Sequence, residues 1–181
     1  MISLLDVLPK ELIILDFHAK DKNDVLVQIA DLFHEKNMVH DRDVFYEHLC
    51  AREGGSLELG TALENGVAVP HVAAEMDRDI VVAIFISQAA VDFKAIDGKP
   101  THIFVGMACR HEIYNGGKNN IYLHYLALIT SLLKDKDFRD ELMKAKSVEG
   151  VISSIKQHEE NIRERQRQNN GMPDYLRGNN K

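Results

Sequence analysis

Cysteine is scarce in this chain of 181 residues, which has only Cys50 and Cys109. They sit in helix-like and strand-like segments with no metal-ligand spacing. Two reduced thiols in a cytosolic protein are therefore expected, not a disulfide framework. Positive charge is also in deficit. Lys and Arg number 22 against 28 Asp and Glu, a formal net charge of −6. That excludes a general nucleic-acid binder, which needs a cationic footprint. Long apolar runs are missing too. None approaches the roughly 20 residues that cross a bilayer, so no membrane insertion is expected. Met1-Ile2-Ser3-Leu4-Leu5-Asp6 has no basic region ahead of a long apolar core, and no signal peptide is expected.

What remains is a chain with 45% hydrophobic residues, enough to bury one core. Two parts are expected: a folded domain over residues 1–156 and a polar extension over residues 157–181. From Gln157 onward Gln, Asn, Glu and Arg dominate, and Gly171, Pro173 and Gly178 interrupt the run. A frayed helix that becomes disordered is the expected state there.

Within the domain, Leu12-Ile13-Ile14-Leu15 reads as a first strand. Asp21 can cap a helix over Lys22–Lys36 whose Val25, Leu26, Ile29, Leu32 and Phe33 share one face. Asp41 starts a second helix, which gives out at Arg52-Glu53-Gly54-Gly55. Ile80–Ile86 is almost wholly apolar and β-branched, the pattern of a strand covered on both faces. Asp97-Gly98 is a turn signal between strand-like Val91–Ile96 and Thr101–Ala108. Residues 110–120 read as a loop. Helices are expected over Ile121–Leu133, Phe138–Ala145 and Val148–Ile155. The order of elements specifies an α/β domain, a mixed β-sheet flanked by helices.

The chemistry gathers near one stretch. Asn65-Gly66 is a turn, Val67-Ala68-Val69 a short strand, and Pro70 lacks an N–H and holds φ near −65°. His71 follows at the point where pairing is expected to stop. A strand-end histidine there can be a nucleophile or simply a hydrogen-bonded side chain.

Gly66-Val67-Ala68-Val69-Pro70-His71 resembles the Gly-Ile-Ala-Ile-Pro-His phosphorylation motif of the fructose/mannitol-type enzyme IIA domains. These belong to the phosphoenolpyruvate-dependent sugar phosphotransferase system and include the nitrogen-regulatory enzyme IIA. Leu12–Leu15, Ala51-Arg52-Glu53, Val91–Pro100, His124-Tyr125-Leu126 and Phe138–Leu142 fall in the family's order. The similarity runs from about Ile2 to Ile155. It implies the family's enzyme IIA fold and a phosphotransferase activity, with His71 accepting a phosphoryl group from the phosphocarrier protein HPr. The group then passes to an enzyme IIB, or its presence signals to a regulatory target protein. The resemblance also implies His124 as a second active-site histidine donating to the phosphoryl oxygens, and Arg52 as a nearby guanidinium. It implies a cytoplasmic protein with no metal and no organic cofactor.

The sequence departs from the family pattern in three places. Val72 replaces a small residue after Pro-His, the Arg-to-His spacing is longer, and no proline stands at Cys109-Arg110. These departures motivate an alternative, an interaction module that keeps the fold and is not phosphorylated.

Overall fold

The computed structural model describes residues 2–54, 60–115 and 120–171. A 3-10 turn at Leu4–Asp6 is capped by Ser3, and a second at Lys10–Leu12 leads into strand β1, Ile13–Ile14. Helix α1, Lys22–Glu35, starts where the Asp21 side chain accepts from the Asp24 N–H. Helix α2, Arg42–Gly54, starts where Asp41 accepts from the N–H groups of Asp43 and Val44. Both caps satisfy donors that the first helical turn leaves orphaned.

Strands β2 (Val67–Ala68), β3 (His71–Ala74), β4 (Ile80–Val91) and β5 (Thr101–Arg110) follow. Then come α3 (His111–Tyr114), α4 (Ile121–Lys134), α5 (Lys136–Lys144) and α6 (Val148–Gly171).

The sheet order is β1-β4-β5-β2, with β3 also paired to β5. β4 and β5 are antiparallel, while β1 runs parallel to β4, and β2 and β3 run parallel to β5. Val67 pairs with Ile103 and His71 with Met107, so the offset is the same on both sides of Pro70. β2 and β3 are thus one edge strand interrupted at Val69-Pro70. Pairing does not stop at Pro70, as the sequence suggested. The proline lacks only its N–H, and its carbonyl still accepts from Met107 at 2.9 Å.

The alternation along β4 and β5 divides two cores. Val81, Ala83, Phe85, Phe104 and Ala108 pack under α1 and α2. Ile80, Val82, Ile84, Ile103, Val105 and Met107 pack under α4, α5 and α6. This two-sided burial explains the continuous apolar run in β4.

Three further expectations change. Val91–Ile96 is not a strand: β4 is paired only to Val91, opposite Thr101, and residues 92–100 make the connection. Residues 111–114 are not loop but the helical turn α3; residues 116–119 of the same expected loop lie outside the described residues. The third concerns the segment after residue 156, expected as a frayed helix: α6 continues as regular helix to Gly171. His158 and Glu159, 5% and 3% exposed, are buried in the fold. Residues 172–181 of the expected extension lie outside the described residues.

Candidate functional site

The site begins with a turn. Asn65 and Gly66 both have left-handed backbone, φ 67° and 74°, which these two residue types tolerate, and with Glu64 they make a three-residue loop. The turn folds residues 61–63 against 67–69: Leu63 N–H donates to Val67 O, and Val69 N–H donates to Thr61 O at 3.0 Å. The carbonyl of Val69 is thereby held in place.

That carbonyl accepts from Nδ1 of His71 at 2.5 Å. A carbonyl oxygen can only accept, so Nδ1 must carry the hydrogen. In the neutral ring the lone pair is then on Nε2, which is the nucleophilic atom. His71 pairs with Met107, whose side chain lies in the core beneath α4. Cross-strand partners point to the same side, so the imidazole projects on the α4 side. Val72, 7% exposed, points the other way into the core under α1 and α2. The Val72 departure is thus a core substitution and does not narrow the approach to His71.

Tyr122, the second residue of α4, stands against the imidazole with ring centroids 6.0 Å apart, and Tyr114 of α3 packs against Tyr122 with its ring tilted, centroids 4.9 Å apart. Burial keeps the Tyr122 phenol protonated, its pKa raised well above the ordinary range. Arg52, in the last turn of α2, lies close enough that its charge acts on both His71 and Tyr122.

Arg52 thus lies within electrostatic range of His71, whereas His124 is turned away from both. His124 is exposed and lines a surface groove with Ile2, Leu128, Glu159, Ile162 and Arg163. Two residues along a helix are about 200° apart around its axis, so a helix that turns Tyr122 to His71 turns His124 away. Sequence reasoning missed Tyr122, yet a signal was present. The buried stripe of α4 is Tyr122, Tyr125, Ile129, Leu132 and Leu133, and His124 is out of phase with it.

Burial pushes the His71 pKa below its ordinary 6.5, helped by the Arg52 charge and opposed by the Val69 hydrogen bond and by Glu53. The ring is therefore largely neutral, and nucleophilic, at neutral pH. An NMR titration of His71 should give a midpoint below 6.5. The sign for stability follows. Above 6.5 the ring is neutral folded and unfolded; below it the unfolded chain takes up the proton first. This group's contribution thus falls as pH drops from 6.5 to the folded midpoint. A midpoint at or above 6.5 would contradict the buried, cation-flanked geometry.

Among the described residues no three His, Cys, Asp or Glu side chains are grouped to hold a metal ion. No described helix is long and apolar enough to cross a membrane.

Residues 6–158 match the family described as phosphoenolpyruvate-dependent sugar phosphotransferase system, EIIA 2. The chain is 29% identical over 156 residues to a nitrogen regulatory protein of Pseudomonas aeruginosa, covering 86% of this chain and 96% of that protein. It is 28% identical over 152 residues to the fructose-specific EIIA component of Haloferax volcanii, covering 82% and 94%. The fructose-specific EIIABC component of Bacillus subtilis is 27% identical over 157 residues, 87% of this chain, but this chain spans only 24% of that protein. Among solved structures, nitrogen regulatory protein IIA-Ntr of Neisseria meningitidis superposes with a TM-score of 0.69 at 26% identity, covering 84% and 99%. IIA mannitol of Escherichia coli shares the fold, with a TM-score of 0.64 at 21% identity over 81% and 97% of the two chains. The chain belongs to the EIIA 2 family of the phosphoenolpyruvate-dependent sugar phosphotransferase system.

Proposed function

We propose that this protein is a phosphoryl carrier of the cytoplasm: Nε2 of His71 accepts a phosphoryl group from HPr and passes it to an enzyme IIB or holds it as a regulatory signal. The observation that carries the reading is the hydrogen bond from His71 Nδ1 to the Val69 carbonyl, which leaves Nε2 as the lone-pair nitrogen. In the transfer, Nε2 attacks phosphorus as the donor's N–P bond breaks, and the donor imidazole leaves with the bonding pair. The His71 proton on Nδ1 stays where it is. Phosphoryl transfer then asks mainly for alignment and charge stabilisation. Arg52 supplies positive charge beside the nucleophile, and its planar fork can meet two phosphoryl oxygens.

A solved complex of mannitol enzyme IIA with phosphorylated enzyme IIB has the same fold in its IIA chain, with a TM-score of 0.62 at 19% identity. That fold can therefore present its site to a IIB partner. Incubation with enzyme I, HPr and phosphoenolpyruvate, followed by intact-mass analysis, should show one acid-labile phosphoryl group. No uptake would favour the unphosphorylated interaction module instead.

The donor role first assigned to His124 passes to Tyr122 in this reading. A protonated phenol donating to a charged phosphoryl oxygen is worth about 1.5–3 kcal/mol, so Tyr122→Phe should slow single-turnover transfer roughly tenfold or more. His124→Ala should leave the rate within about twofold, because its ring lines the groove by α6 and not the face that carries Tyr122. The reverse ranking of the two variants would restore His124 and remove Tyr122.

A further inference from the structure

One charged group beside the site has no part in that chemistry. Glu53 follows Arg52 in the last turn of α2, and its side chain is only 2% exposed. A buried carboxylate is costly unless paired and hydrogen-bonded, and this one is fully provided for. Lys22 Nζ lies 2.8 Å away, the Thr61 N–H donates to both oxygens at 3.2 Å, and the Thr61 hydroxyl donates to Oε1. Lys22 Nζ also donates to the Glu53 backbone carbonyl at 3.0 Å. The seat leaves no spare room: a Cβ on Gly60 would come within 2.7 Å of Glu53 Oε2 and 3.3 Å of Lys22 Nζ.

The bonds continue from there to the nucleophile. Thr61, held at its N–H and its hydroxyl, offers its carbonyl to Val69 N–H at 3.0 Å. Val69, held at its N–H, offers its own carbonyl to His71 Nδ1. Each link fixes one residue at its amide and presents its carbonyl to the next. The Val69 carbonyl that selects the His71 tautomer is thus tied to the Glu53 carboxylate, well upstream in the chain. Lys22 matters for a second reason. The Glu53 charge reaches His71 and would repel an incoming phosphoryl group, and the ammonium offsets it so that Arg52 outweighs it there.

We infer that Glu53, neutralised by Lys22 and acting through Thr61 and Val69, is a positioning residue that holds His71 in its Nδ1–H tautomer with Nε2 free to react. Its consequence for transfer rests on the phosphoryl-carrier reading; its consequence for the tautomer does not.

The test reads both. Long-range 15N–1H spectra of the His71 ring should show a single Nδ1–H neutral tautomer in the wild type. In Glu53→Gln the Thr61 amide keeps an acceptor, but the charge pairing with Lys22 is gone. The ring shifts should move toward averaged, mixed-tautomer values, and phosphorylation from phospho-HPr should slow roughly tenfold or more. Thr61→Val, which keeps shape and loses the hydroxyl, should move both readouts the same way, and Thr61→Ser should restore both. A purely structural Glu53 would lower the unfolding midpoint and leave the tautomer of the folded protein untouched. That outcome would overturn the inference. If Glu53→Gln does not fold, the two Thr61 variants decide: an unchanged tautomer in Thr61→Val overturns it equally. If wild-type protein takes up no phosphoryl group, the carrier reading fails, and the tautomer spectra still decide the role of Glu53.

Discussion

His71→Ala should take up no phosphoryl group under conditions in which the wild type takes up one, and it should remain folded. The side chain is half-buried at the start of an edge strand. Its removal takes away one hydrogen bond to Val69 and one aromatic contact with Tyr122. Losses of that kind come to about 1–2 kcal/mol, too little to unfold a domain of this size. The chemical loss is total, because among the described residues no other imidazole is hydrogen-bonded to the Val69 carbonyl.

The other described histidines near β3 are engaged elsewhere. Nδ1 of His48 lies 3.3 Å from the Ala73 carbonyl, and the His48 and His111 rings are 6.2 Å apart. Intact mass after incubation with enzyme I, HPr and phosphoenolpyruvate, with circular dichroism on the same sample, measures both halves. Phosphoryl uptake persisting in His71→Ala would move the nucleophile to another residue. An unfolded His71→Ala would make the ring a structural element first.

Truncation after Lys156 should destabilise the protein by about 3–5 kcal/mol, a fall in unfolding midpoint of roughly 6–20 °C for a chain of this length. The polar composition of the last segment pointed the other way, to a frayed helix that becomes disordered. In the structure Glu159 accepts from the Leu4 N–H at 2.7 Å and from the Ser3 hydroxyl at 2.8 Å, so it holds the N-terminal turn. Arg163 pairs with it at 3.0 Å. His158 sits between Asp135 and Glu141, 3.5 and 3.3 Å away, with its ring 5.2 Å from that of Phe138. Ile162 packs against the core beneath α4.

Cutting at 156 removes all of these and leaves a buried N–H at Leu4 without an acceptor, the costly kind of loss. Urea or thermal unfolding of the truncated chain measures it. A midpoint unchanged from the full chain would show that the contacts made by His158 and Glu159 contribute nothing net.

Some of this molecule could be read from its residues alone, and the reason is range. Asn65-Gly66 adopts left-handed backbone because those two residue types tolerate it, whatever surrounds them. Asp21 and Asp41 cap helices within three residues of themselves. The apolar run of β4 can only be a strand with cover on both faces, and Gly66–His71 is a contiguous motif. In each case the deciding interaction lies within one turn of chain.

Tertiary packing decided what depends on how elements dock. Which face of α4 meets His71 is set by seating Tyr122, Tyr125 and Ile129 in the core, and that rotation takes His124 out of the site. Polar letters after residue 156 look solvent-bound until Leu4 and Phe138 arrive from elsewhere in the chain to pair with Glu159 and His158. Glu53 reads as one more exposed helix-end carboxylate. Only when α1 brings Lys22 and the hairpin brings Thr61 does it become a buried anchor, because a charge can leave water only where distant residues supply its partners.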